Sequence, residues 1–104
     1  ADGVLITFPP DPSHDRRNQA LTKRYLAQGY RPEAFTFYSY ATVQIWSQAV
    51  KASQSTAMPA VAKTLKSREF DSVLGKVRFN QHGDISEPGF VIYAFNRGEI
   101  DYLD

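Results

Sequence analysis

The sequence predicts an α/β fold in the order one strand, three helices, then three or four strands. Three observations carry this expectation. Two nearly continuous apolar runs, Val4 to Phe8 and Phe90 to Phe95, read as strands. The stretch Phe35 to Val50 is aromatic-rich, has helical spacing and contains no formal charge between Glu33 and Lys51. Beyond Phe70 the apolar period changes to two.

Val4-Leu5-Ile6-Thr7-Phe8 is the pattern of a strand covered on both faces, as in parallel sheets. Pro9-Pro10 then stops ladder bonding and stiffens the exit into an extended connector, which suits a loop or a hinge. Ser13 or Asp15 is expected to cap the next helix. There Leu21, Tyr25 and Leu26 make a narrow apolar stripe, Arg16, Arg17, Lys23 and Arg24 stay in water, and Gly29 is the stop.

In the central helix Tyr40, Val43, Trp46 and Val50 form one stripe, and Tyr38, Ala41, Ile45 and Ala49 form a second beside it. The spacing therefore predicts a helix buried on several sides. A membrane span is excluded, because about 20 apolar residues are needed and Ser39, Thr42, Gln44, Ser47 and Gln48 interrupt this run. Pro59 opens a short third helix, ending near Ser67, with Val61, Ala62 and Leu65 facing inward. Val77 and Phe79 then alternate with Lys76, Arg78 and Asn80, and Gln81-His82-Gly83-Asp84 is a turn. Pro88-Gly89 precedes the second apolar run, and Asn96-Arg97-Gly98 turns it toward Ile100, Tyr102 and Leu103.

With 104 residues, 42% hydrophobic and 22% charged, the chain is expected to form one domain with one core. A net charge of +1 supplies no field favouring nucleic acid or an anionic membrane. The absence of cysteine excludes disulfides and thiolate chemistry, and is permissive for an oxidising compartment. The start ADGVLITF lacks a basic n-region and a cleavage site, so it is not read as a signal peptide. Its abrupt entry into a strand, and two apolar strands with too few neighbours to cover them, lead us to expect a piece of a longer protein.

Catalytic and metal chemistry find no support in the motifs. Ser13-His14-Asp15 has the residue types of a triad, but neighbours in sequence cannot line up nucleophile, base and orienting acid. Asp11, His14 and Asp15 lack a remote fourth metal ligand. The stretch Asn80-x-His82-x-Asp84 lacks the glycine and glutamate of a calcium loop, with Ile85 and Val91 at those places. Gly75-Lys76 lacks the upstream glycine of a phosphate-cradling loop. The aromatic run from Gly89 to Phe95 has some likeness to an RNA-recognition strand, but the element order is wrong for that fold. We therefore expect no enzyme, no resident metal or cofactor and no nucleic-acid partner. The more productive site is the start of the central helix, where Phe35, Phe37 and Tyr38 accompany free backbone N–H groups. This arrangement suits an apolar ligand with an anionic end.

Three stretches carry a family resemblance: GVLITFPPDP, then QGYRPEAFTFYSYATVQIW, then FDSVLGKVRFNQHGDISEPGFVIYAF. Together they resemble the C-terminal part of the branched-chain amino acid type (type I) of periplasmic solute-binding protein, the receptor component of an ABC importer. The likeness covers nearly the whole chain. It implies that residues 1–104 are one partial domain of a two-lobed fold, containing hinge strands and the helices of one lobe. Thr7, Phe8, Pro9 and Pro10 would lie at the hinge crossing, and the second apolar run would be the return. Phe35 matches the position of an aromatic ring set against the ligand's apolar side chain, with Tyr38 one turn on and Phe37 between them. The implied function is extracytoplasmic binding of branched-chain or other hydrophobic amino acids, or small carboxylic acids, for a transporter permease in the periplasm. The alternative is the ligand-sensing domain of a receptor or regulator with the same fold. The uncovered strands lead us to expect the isolated chain to be a homodimer or strand-exchanged oligomer.

Overall fold

The computed structural model describes residues 1–87 and 89–103. Strand β1 (Leu5–Phe8) is followed by two 3-10 turns, Pro12–His14 and Arg16–Asn18, and then by helices α1 (Gln19–Ala27), α2 (Ala34–Ser53) and α3 (Met58–Leu65). Strands β2 (Glu69–Ser72), β3 (Gly75–Arg78), β4 (Val91–Asn96) and β5 (Glu99–Tyr102) complete the order. The α/β expectation is met, with four strands after the helices. Pro88, expected to precede the second apolar strand, lies outside the described residues.

The strands form two separate sheets, one of order β1-β4-β5 and one of β2-β3, and every pairing is antiparallel. This corrects the parallel-type reading of Val4 to Phe8. A doubly apolar strand can come from any sheet meant to be covered on both sides. Here β1 pairs through Leu5 with Ala94 and through Phe8 with Val91. Its faces are open, with Leu5 57% and Ile92 43% exposed, because among the described residues no helix packs extensively on this sheet.

Helix α2 is the central element, but only one of its two apolar stripes is enclosed. Phe37, Ala41, Ile45 and Ala49 are buried at i, i+4 spacing, whereas Val43 is 65% and Trp46 52% exposed. The expectation of burial on several sides is thus corrected. Two alanines on the enclosed stripe allow neighbouring backbone to come close, and α3, β2 and the first 3-10 turn all pack on the helix. Ile45, Ala49, Val61, Phe70 and Val77 form one cluster, bordered by Val50, Leu65, Leu74 and Phe79. Each full burial of such an aliphatic or aromatic side chain stabilises by about 1.5–3 kcal/mol. Apart from Pro12 and Pro32, only seven apolar side chains are buried among the described residues, so this core is thin for the length.

Side-chain amides dock the hairpin β2-β3 on the helix. Gln48 Nε2 donates to Asp71 O at 2.7 Å, while its Oε1 accepts from Asp71 N at 3.2 Å. Gln44 Oε1 accepts from Val73 N at 2.9 Å.

The start of α1 also differs from expectation. Asp11 accepts from Ser13 N and Asp15 from Arg17 N, so each aspartate caps a 3-10 turn, and Ser13 caps nothing. Asn18 precedes α1 without a side-chain cap, because its amide is committed to Pro12 O at 2.9 Å and Val73 O at 2.8 Å. It is the one buried polar residue among the described residues; Val73 O has no other partner there, while Pro12 O also accepts from Asp15 N at 3.2 Å. At the far end, Gly29 adopts φ +78 and Tyr30 N donates to Tyr25 O, the left-handed stop expected there.

Candidate functional site

Strand β1 ends in Phe8, and α2 begins one residue before Phe35. Their rings meet edge to face, 5.9 Å apart at 88°. Tyr38 follows one turn later on the helix, 6.4 Å from Phe35 at 53°. Phe35 is 67% exposed and Phe8 38%, so the pair forms an open aromatic shelf at the junction of sheet and helix. Phe35 lies within the first turn of α2.

Phe37 does not share this shelf. It is the most deeply buried large side chain and belongs to the core, which corrects its expected place among the ligand-facing rings. The helical rotation of about 100° per residue sends Phe37 inward when Phe35 points out. The expected anionic end also fits poorly. Glu33 is the N-cap residue and puts its own negative charge there. Its backbone N–H donates to Thr36 Oγ1 at 3.2 Å, and Thr36 N returns a bond to Glu33 O at 3.0 Å. The exposed part of this surface is thus the apolar shelf of Phe8 and Phe35.

The expected hinge residues converge on the same place. Thr7 pairs with Ile92 within the sheet. Beyond it, Pro9 and Pro10 are held by phenols: Tyr93 OH donates to Pro9 O at 2.9 Å, and Tyr38 OH to Pro10 O at 3.1 Å. The next amide, Asp11 N, donates to Tyr102 OH at 2.6 Å. Burial raises the Tyr93 phenol well above its usual range, with Tyr102 and Asp11 adding to the effect. Burial likewise raises Tyr38, helped by Tyr102 and then Asp11. The sequence reading missed this role for Tyr93 and Tyr102. A phenol within an otherwise apolar strand was the available signal, since a buried hydroxyl needs a partner. Behind the connector a cleft of ≈ 450 Å³ is bordered by Pro10, Tyr38, Leu74, Ile85 and Phe90.

The remaining motifs are structural. His14 faces the Tyr102 ring at 5.3 Å and 77°, and its Nε2 lies 3.7 Å from Asp11 Oδ2. Asp15 is engaged by Arg17, whose guanidinium bonds hold the carboxyl below its usual range. Asn80 Oδ1 accepts from His82 N and Asp84 N, closing the turn. Among the described residues no group of three or more His, Asp or Glu could hold a metal, and no helix is long and apolar enough to cross a membrane.

Comparison with known proteins defines the class first. No protein-family model matches the chain. The fold is that of part of a type I periplasmic binding protein. The chain aligns over 99% of its length with 32% of an ABC transporter substrate-binding protein from Desulfitobacterium hafniense, solved in complex with Leu, at TM-score 0.78 and 25% identity. It also aligns over 98% of its length with 29% of a Rhodopseudomonas palustris solute-binding protein in complex with benzoate, at TM-score 0.72 and 19% identity. The particular kinship follows from sequence: the chain is 43% identical over 97 residues to Leu/Ile/Val-binding protein homolog 1 of Brucella abortus. That match takes in 92% of this chain and 26% of the relative, so the chain spans about a quarter of the length of the curated relatives it matches. The resemblance to the branched-chain amino acid type of solute-binding protein is thereby borne out. These relatives are binding proteins by name, in keeping with the expectation that the chain is not an enzyme.

Proposed function

We propose that the chain is the C-terminal segment of the extracytoplasmic solute-binding component of an ABC importer. Residues 1–104 contribute one partial domain, and the rest of a longer polypeptide completes the two lobes. The ligand is a branched-chain or other hydrophobic amino acid, or a small carboxylic acid, held where the lobes close. Phe35 presses against its apolar part, Tyr38 flanks that ring, and Phe37 supports it from the core. Thr7, Phe8, Pro9 and Pro10 form the crossing between lobes. The protein works in the periplasm and passes its ligand to a transporter permease.

The exposure of Phe35, braced edge-on by Phe8 and lying at a sheet-to-helix junction, is the observation that carries this proposal. A ring this exposed gains little for the isolated chain, and it gains much if an apolar ligand covers it. The relatives' names and the Leu complex of a structural neighbour support an apolar amino acid as that ligand. Calorimetric titration tests the proposal. Leucine, isoleucine, valine and a hydroxycinnamate should give no heat with the 104-residue chain and should give heat with one of them on the longer protein. Micromolar binding by the short chain would refute the segment account, and no response from the longer protein would refute the ligand class.

A further inference from the structure

The connector Pro9-Pro10-Asp11 has three successive backbone groups with no ladder partner: Pro9 O, Pro10 O and Asp11 N. Two prolines remove the neighbouring N–H donors, so water would ordinarily satisfy these groups. Instead each meets a tyrosine hydroxyl, from Tyr93, Tyr38 and Tyr102 respectively, at 2.9, 3.1 and 2.6 Å. Tyr93 and Tyr102 stand directly opposite each other on β4 and β5, their rings stacked 4.8 Å apart at 26°. Tyr38 comes from α2, in the other half of the molecule. Among the described residues the β1-β4-β5 sheet has no extensive packing surface with any helix, so this connector, the Phe8–Phe35 and His14–Tyr102 contacts and the chain running from β3 to β4 join the two parts.

We infer that Tyr38, with Tyr93 and Tyr102, is a positioning residue: the three phenols clamp the proline connector and set the angle between the sheet and the helical part. The inference rests on these hydrogen bonds and not on the identity of any ligand. The Tyr38 hydroxyl donates to Pro10 O, so its proton is committed, and its ring lies tilted at 53° to that of Phe35. A swing of the sheet about the connector must stretch at least one of the three bonds. Prolines restrict φ but leave ψ free, so stiffness here needs a second source, which the phenols supply.

The absence of cysteine makes the test direct, because paired labels can be placed without removing native thiols. Lys63→Cys on α3 and Glu99→Cys on β5 are both exposed sites and carry spin labels. With doubly labelled chain diluted into an excess of unlabelled chain, so that only distances within one copy are read, the expected result is a narrow distance distribution in the otherwise native chain and a clearly broader or shifted one in Tyr38→Phe, with circular dichroism unchanged. Tyr25→Phe, a half-buried tyrosine away from the connector, should leave the distribution as it was. A Tyr38→Phe distribution matching the native one would overturn the inference. Independently, hydrogen exchange of the Asp11 amide should accelerate at least tenfold in Tyr102→Phe while the β1-β4 ladder amides keep their protection. Unchanged exchange at Asp11, or equal loss across the ladder, would also overturn it, the latter by showing general loosening of the sheet.

Discussion

Tyr93 and Tyr102 are paired across β4 and β5, and their hydroxyls reach opposite ends of the same three-residue connector, at Pro9 O and Asp11 N. The raised phenol of Tyr93 gives this pair a pH signature. Burial keeps the hydroxyl neutral in the folded state, so the unfolded chain ionises first. Its contribution to stability is complete below the unfolded phenol pKa of about 10 and is lost as pH rises through the higher folded value. Thermal midpoints should therefore hold up to about that pH and decline above it. Tyr93→Phe should be less stable by about 1 kcal/mol at neutral pH, from the lost hydrogen bond, and should decline less steeply in alkali. An alkaline decline of equal slope in both would count against Tyr93 as the cause.

Phe35 and Phe37 should respond oppositely to truncation. Phe37→Ala opens a cavity under α2 and should cost about 3–5 kcal/mol, read from the midpoint of urea unfolding. Phe35→Ala removes an exposed ring and should cost less than about 1 kcal/mol. In the longer protein, however, it should weaken leucine binding at least tenfold. Equal losses of stability would show that the shelf is part of the core.

Asn18→Ala should cost about 1–3 kcal/mol, since it strands the Val73 carbonyl with no replacement donor and leaves Pro12 O with the Asp15 amide alone. Asn18→Asp should be no better, because a carboxylate cannot donate to either carbonyl. Urea denaturation checks both, and a neutral effect would mean that water reaches these carbonyls.

The isolated chain should elute from a sizing column as a dimer or larger, because Leu5, Ile6 and Phe8 on an edge strand leave apolar groups and unpaired backbone open together. A compact monomer at micromolar concentration would refute this expectation.

Much of the order of elements was legible, because each element carries its own local signal. Periodicity found α2, Gly29 marked the end of α1, and Arg97-Gly98, both at positive φ, marked the turn between β4 and β5. What stayed hidden was long-range. Both stripes of α2 are apolar, and nothing local says that Ala41 and Ala49 admit neighbours while Val43 and Trp46 do not. The antiparallel partnership of β1 and β4 links positions at opposite ends of the chain. At the candidate site the rings were visible as a cluster, yet which of Phe35 and Phe37 faces out depends on where the helix rests. The phenol bonds to the connector required knowing that two distant tyrosines would arrive beside the same prolines.

Gln44 and Gln48 have an effect outside the core. Their amides offer Asp71 on β2 and Val73 in the following turn the groups that another chain's backbone would offer, so the helix impersonates a neighbouring strand along that margin. Foreign polypeptide can add itself to β1, where the margin stands open, but finds β2 already occupied. Sticky behaviour in this molecule should accordingly be lopsided, weaker along the margin of β2 than along that of β1.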